Sequence, residues 1–130
     1  PAARQRLIGQ LQQARVANPV VLGGDFHAFI TAELHADPGD PSSARVATEF
    51  VTTSVTGEPW PETAVGAFVA NSPGLQLATG ASRGYLRLDV GAGSLRADLV
   101  AMETIAEPSS GSRVIASFEV ADGQPKLERA

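Results

Sequence analysis

The alternation of apolar and polar positions divides the chain into an amphipathic start and a series of shorter β-like segments. In "PAARQRLIGQLQQARVAN", Leu7, Ile8, Leu11 and Ala14 recur at helical spacing, with Arg4, Arg6, Gln10, Gln13 and Arg15 on the other faces. Pro1 suits a first helical turn, and Asn18-Pro19 is expected to stop the helix. Val20, Val21 and Leu22 then form a short apolar run that leaves through Gly23-Gly24, the pattern of a strand buried on both faces. "HAFITAELHA" alternates, placing Ala28, Ile30, Ala32 and Leu34 on one side and His27, Phe29, Thr31 and Glu33 on the other. That period of two predicts a half-buried strand.

"DPGDPSS" at 37 to 43 has loop composition, and "RVATEFVTTSV" from Arg45 is a second β-rich segment. Residues 57 to 82 carry a weaker pattern, with a short helix expected from Glu62 to Ala70, opened after Pro61 and closed by Asn71 to Gly74. "RGYLRLDV", the turn "GAGS" and "LRADLVAMET" predict a hairpin, and "SRVIASFEVADGQPK" adds one more strand. One clear N-terminal helix, a second short one and about five strands in hairpin order at the end predict an α+β fold with a largely antiparallel sheet. The "VVLGGD" strand reads as an interior strand of a large layered sheet, with too little helix in the chain to cover it. Its other neighbours are expected to lie elsewhere.

Composition narrows the function. At 130 residues and 43% apolar the chain is the size of one ordinary domain and can bury a core. Ten Lys and Arg stand against fourteen Asp and Glu, net charge -4, with no basic run, so capture of nucleic acid or an anionic membrane is excluded as a main role. No stretch approaches the roughly 20 apolar residues of a membrane span. Residues 1 to 17 are too polar for the core of a signal peptide. There is no cysteine, hence neither a disulfide nor a thiolate ligand. The start at Pro1, with Met102 the only methionine, is expected of a chain that lost its initiator or of a piece of something longer.

The candidate chemistry sits in "NPVVLGGDFHAF". If the chain stays extended past the glycines, Asp25 and His27 point to the same side, a carboxylate and an imidazole at the end of a rigid strand. Read alone, an Asp-x-His pair is more often a capped turn beside a half-exposed histidine. Other positions carry two readings each. His35, beside Asp37 and Asp40, lies in a solvated turn rather than a calcium loop, because the full acidic ladder and closing Glu are missing. Glu49 serves a salt bridge or the site; Thr52, Thr53 and Ser54 line a cleft or simply stand in a strand. Arg83 and Tyr85 reach a phosphate, or are solvated and packed respectively. Trp60, between Pro59 and Pro61, is a lid or, more often, the buried anchor of a loop.

Four blocks in order, "NPVVLGGDFHAF", "VATEFVTTSV", "ASRGYLRLDV" and "ASFEVADGQPKLERA", resemble the C-terminal portion of the PhoD-like family, alkaline phosphatase D and related phosphodiesterases of the metallophosphatase superfamily. The resemblance covers nearly the whole chain. It implies that residues 1–130 are the C-terminal part of a catalytic domain, one portion of an αββα sandwich whose N-terminal part is absent. It further implies a secreted or periplasmic hydrolase of phosphomonoesters or phosphodiesters with a multimetal centre containing iron and calcium. The family's Gly-Asp-x-His motif falls on Gly24, Asp25, Phe26 and His27, making Asp25 and His27 late metal ligands. Most other ligands belong to the family's N-terminal half, so the expected partner is that portion as a separate chain, and this chain alone is expected to be inactive. The sequence departs from the family's pattern at Thr52 or Thr53, where relatives have glycine, and at Ile30 and Thr31, where they carry an aromatic. The alternative is a non-catalytic β-rich binding module.

Overall fold

The computed structural model describes residues 2–130, so the expectation for Pro1 falls outside the described residues. The chain forms α1 (Ala2–Gln13), β1 (Val20–Gly23), β2 (Phe29–His35), β3 (Arg45–Val51), α2 (Glu62–Ala70), β4 (Leu75–Thr79), β5 (Gly84–Val90), β6 (Ser94–Met102), β7 (Ser112–Ala121) and β8 (Glu128–Arg129). The first sheet has the order β1-β3-β2-β4 and the second β5-β6-β7-β8. The only parallel ladder among these is β1 with β3; the other pairs are antiparallel. The architecture is α+β, as expected, and α2 falls on the segment read as a short helix.

The two sheets pack face to face. Phe29 and Phe50 from the first meet Leu95, Ala97, Leu99, Ala116, Phe118, Val120 and Leu127 from the second. Alternation along β6 explains the choice: Leu95, Ala97 and Leu99 point into the core, while Arg96 and Asp98 take the opposite face. On that far face Asp98 is 2% exposed beneath Arg87 and Arg96, and its carboxylate accepts a hydrogen bond of 2.6 Å from the Ser117 hydroxyl. The Ser117 bond, and then the Arg87 bond, hold the Asp98 carboxyl below its ordinary 3.8. Both helices contact the first sheet, α1 through β3 and α2 through β4. Between them a cavity of about 290 Å³ is lined by Arg4, Glu49 and Phe68 among others. Burial raises the Glu49 carboxyl there, opposed by the charge of Arg4.

Several expectations are corrected. β1 is not buried on both faces but half-buried, with Leu22 58% exposed, because it is an edge strand paired only with β3. β2 is not half-buried but buried on both faces, since it lies between β3 and β4 with the second sheet on one side and the helices on the other. Of the expected helical stripe only Ile8 is buried, and Leu7 stays exposed. The helix ends before Asn18-Pro19, where Arg15 takes a left-handed conformation at φ 50°. β4 and β8 were not foreseen: β4 is a five-residue strand in the weakly patterned region, and β8 has two residues. His35 is buried rather than solvated, with Nδ1 2.9 Å from the Ser43 carbonyl, while the turn that follows is knit by Asp37 and Asp40.

Leu99→Ala is expected to lower the unfolding free energy by about 2–5 kcal/mol in a urea titration, because the inter-sheet core cannot collapse into the void. Asp98 has a depressed folded pKa, so the unfolded chain binds its proton first as pH falls. Its stabilisation is complete above the ordinary carboxylate value and is lost as pH drops through the folded one. Thermal midpoints of Asp98→Asn measured from pH 7 to pH 2 should start lower than those of the parent and show a shallower acid-side decline.

Candidate metal-binding site

Strand direction gathers the site. β3 and β4 both run antiparallel to β2, and β1 runs parallel to β3, so β1, β3 and β4 all end at one edge of the sheet. The segments that leave them, residues 24–28, 52–61 and 80–83, therefore converge. In sheets with parallel strands this carboxyl end is where binding groups collect. Because β1 and β2 flank β3, residues 24–28 must also cross the end of β3, a span of roughly 10 Å at ordinary strand spacing.

That crossing corrects the geometry expected for Asp25 and His27. The backbone is not extended there; the strand stops at Gly23, and Asp25 (φ 68°) and His27 (φ 54°) both take left-handed conformations. Each is a residue type other than glycine in a region that costs energy, the kind of local strain that collects at functional sites. Asp25 is exposed and His27 half-buried, both at the carboxyl end of β1. Gly23 lies close against β3, where a Cβ would stand 3.2 Å from a Val51 methyl. Phe26, between the two, turns inward onto Trp60 (centroids 4.1 Å apart) and Phe68 (5.2 Å). Trp60 is thus the anchor of its loop.

His27 Nδ1 lies 2.7 Å from the backbone carbonyl of Glu58. A carbonyl only accepts, so Nδ1 carries the proton, and in the neutral ring Nε2 is left with its lone pair. Metal-bound histidines commonly have this arrangement, the far nitrogen tied to a carbonyl, a carboxylate or water. The carboxylate of Asp25 suits a hard cation and the imidazole a borderline one. The donor types therefore fit a metal ion, though no group of three or more His, Cys, Asp or Glu that could hold one occurs among the described residues.

The remaining candidates take supporting positions. Thr53 donates to the Ser82 carbonyl (3.0 Å) and Ser54 to the Gly57 carbonyl (2.9 Å), so these hydroxyls hold loops together. Arg83 is neither solvated nor free: Nε donates to the Gly57 carbonyl at 3.2 Å, and Nη2 lies 3.5 Å from Glu58 Oε2. Tyr85 is 46% exposed on β5. Glu49 points away from the site into the cavity beneath the helices. Sequence reading missed Gly57 and Glu58. They are about thirty positions from His27 and act through backbone carbonyls and a missing Cβ, which leave no pattern beyond the Gly and Pro of "GEPWP".

Comparison with known proteins identifies the family of the chain. The family model for PhoD-like phosphatase matches residues 1–99. Alkaline phosphatase D of Bacillus subtilis (strain 168) is 33% identical over 132 aligned positions, which cover 99% of this chain and 22% of that protein. A solved structure of PhoD superposes with a TM-score of 0.86 at 32% identity, covering 100% of this chain and 25% of that one. The chain belongs to the PhoD-like phosphatase family and spans about a quarter of the length of the relatives it matches.

Exchanging Asp25 for glycine removes the left-handed cost while discarding a carboxylate. Asp25→Gly is expected to leave stability unchanged or raise it by up to about 1 kcal/mol in urea unfolding; a clear loss would mean that Asp25 supports the fold.

Proposed function

We propose that this chain is the C-terminal part of the catalytic domain of a PhoD-like enzyme that hydrolyses phosphomonoesters or phosphodiesters. In this reading Asp25 and His27 are two of the ligands of a multimetal centre, and the others come from the N-terminal portion, present as a separate chain. The observation that carries it is the bond between His27 Nδ1 and the Glu58 carbonyl, which leaves the Nε2 lone pair of the neutral ring for a cation, two positions from the exposed Asp25. Membership in the family and the likeness to alkaline phosphatase D support the same reading.

Bound metal would supply charge neutralisation at the phosphoryl oxygens and a nucleophilic water at neutral or alkaline pH. Asp25 and His27 would hold it, and the resemblance favours iron and calcium. The Glu58 carbonyl keeps the proton of His27 on Nδ1, away from the metal-facing nitrogen. Phe26, packed on Trp60 and Phe68, pins the backbone between the two ligands so that neither swings independently. A hydrolytic metal takes about three protein ligands, and a second metal takes more, so the chain by itself is expected to be inactive. The family resemblance also favours secretion or a periplasmic location. No helix among the described residues is long and apolar enough to cross a membrane.

The test is native mass spectrometry with elemental analysis, read beside the denatured mass. A second polypeptide with bound transition metal and calcium supports the assembled enzyme, and a lone 13.4 kDa chain without metal supports a non-catalytic module. In the assembled enzyme, Asp25→Asn and His27→Ala should each lower metal content and reduce phosphate ester hydrolysis by about 10²-fold or more, with the far-UV circular dichroism unchanged. Unchanged metal content and activity would remove both residues from the site.

A further inference from the structure

We propose that the Gly57–Glu58 segment, held from behind by Arg83 and Ser54, sets the tautomer and orientation of His27, which makes Arg83 a positioning residue. The inference deepens the proposed function and rests on its reading of His27 as a ligand.

A neutral histidine side chain free in water favours the proton on Nε2, the nitrogen that would have to face a metal here. The Glu58 carbonyl at 2.7 Å opposes that preference, and it can do so only if it is itself immobile. The segment carrying it lies in a loop that leaves β3, with no ladder to fix it. Two donors take the place of a ladder, Ser54 Oγ at 2.9 Å and Arg83 Nε at 3.2 Å, both on the Gly57 carbonyl. Gly57 also lies against the imidazole: a Cβ there would stand 2.7 Å from Cε1 and 3.2 Å from each ring nitrogen. The loop therefore confines the ring by contact at one residue and by hydrogen bonding at the next.

Arg83 is in turn fixed by the sandwich. Its carbonyl accepts from the Met102 amide at 2.9 Å, and the Gly84 amide donates to the Ser54 carbonyl at 3.2 Å. Thr53 closes the same junction through Ser82. A rigid path thus runs from the start of β5 through the Arg83 guanidinium to the Gly57 carbonyl, and from Glu58 to the imidazole. The contact of Arg83 with the Glu58 carboxylate adds little, because that carboxylate is 95% exposed. The bond to the Gly57 carbonyl is the one that matters.

The chain has only two histidines, so the ring nitrogens can be read directly by long-range ¹H–¹⁵N NMR at a pH where both are neutral. The parent should show His27 protonated on Nδ1. Arg83→Ala, and independently Ser54→Ala, should move His27 toward the Nε2-protonated form. His35, which pairs with Ser43, should stay unchanged, and intact amide signals from β5 to β7 would report folding. With Co²⁺ alone as the probe, half-broadening of the His27 ring signals should need about tenfold more ion in Arg83→Ala. If His27 keeps its Nδ1 proton and its Co²⁺ response in both variants, the positioning role is overturned. If the tautomer shifts as expected but Co²⁺ added to the parent assembled with its N-terminal portion leaves His27 untouched, the positioning stands and the metal-ligand reading fails.

Discussion

The strand order β1-β3-β2 is the constraint from which the rest follows. Two strands adjacent in the chain are separated in the sheet by a third, so the connection between them must pass over that strand's end. It does so in the five residues 24–28, which leaves little slack for a span of two strand spacings. Such a crossing turns the chain sharply, and the left-handed backbone at Asp25 and His27 is the result. The carboxylate and imidazole stand at the carboxyl end of β1 and β3 because the topology bends the chain there.

Everything around the crossing limits its freedom. β2 leaves it directly into the core, where Phe29 is fully buried between the sheets. Glu33, further along β2, accepts from Arg45 and from the Leu127 amide at 3.0 Å, which ties the C-terminal segment to the first sheet across 94 positions. A buried carboxylate would be costly without these donors. The second sheet contributes no ligand in this reading, yet its start at Ser82 to Gly84 is joined to the loop that holds His27. Packing of one sheet on the other is therefore coupled to the direction of one imidazole.

The same architecture accounts for the small number of donors in the proposed site. One end of a four-stranded sheet supplies a few loop residues, whereas a multimetal centre takes ligands from many more strand ends. β1 is the edge of its sheet, with Leu22 exposed, although its apolar residues suit an interior position. A chain spanning about a quarter of its relatives carries the scaffold that orients two donors, and the activity of the whole remains the proposal made above.

The sequence by itself determined the α+β class, the short helix at 62–70 and the hairpin of β5 and β6, and it singled out Asp25 and His27 as the candidate pair. These are local signals: a period of 3.6 or 2, turn residues at fixed offsets, and a four-residue motif. Only the tertiary structure decided that β1 is an edge strand while β2 is buried on both faces, since a short apolar run does not say which strands will flank it. It also decided that Asp25 and His27 stand on a left-handed crossing rather than an extended strand, because strand order is not written in periodicity. Gly57, Glu58, Ser54 and Arg83 act on His27 through carbonyls, a hydroxyl, a guanidinium and a missing Cβ, contacts that exist only once three loops meet at one end of the sheet.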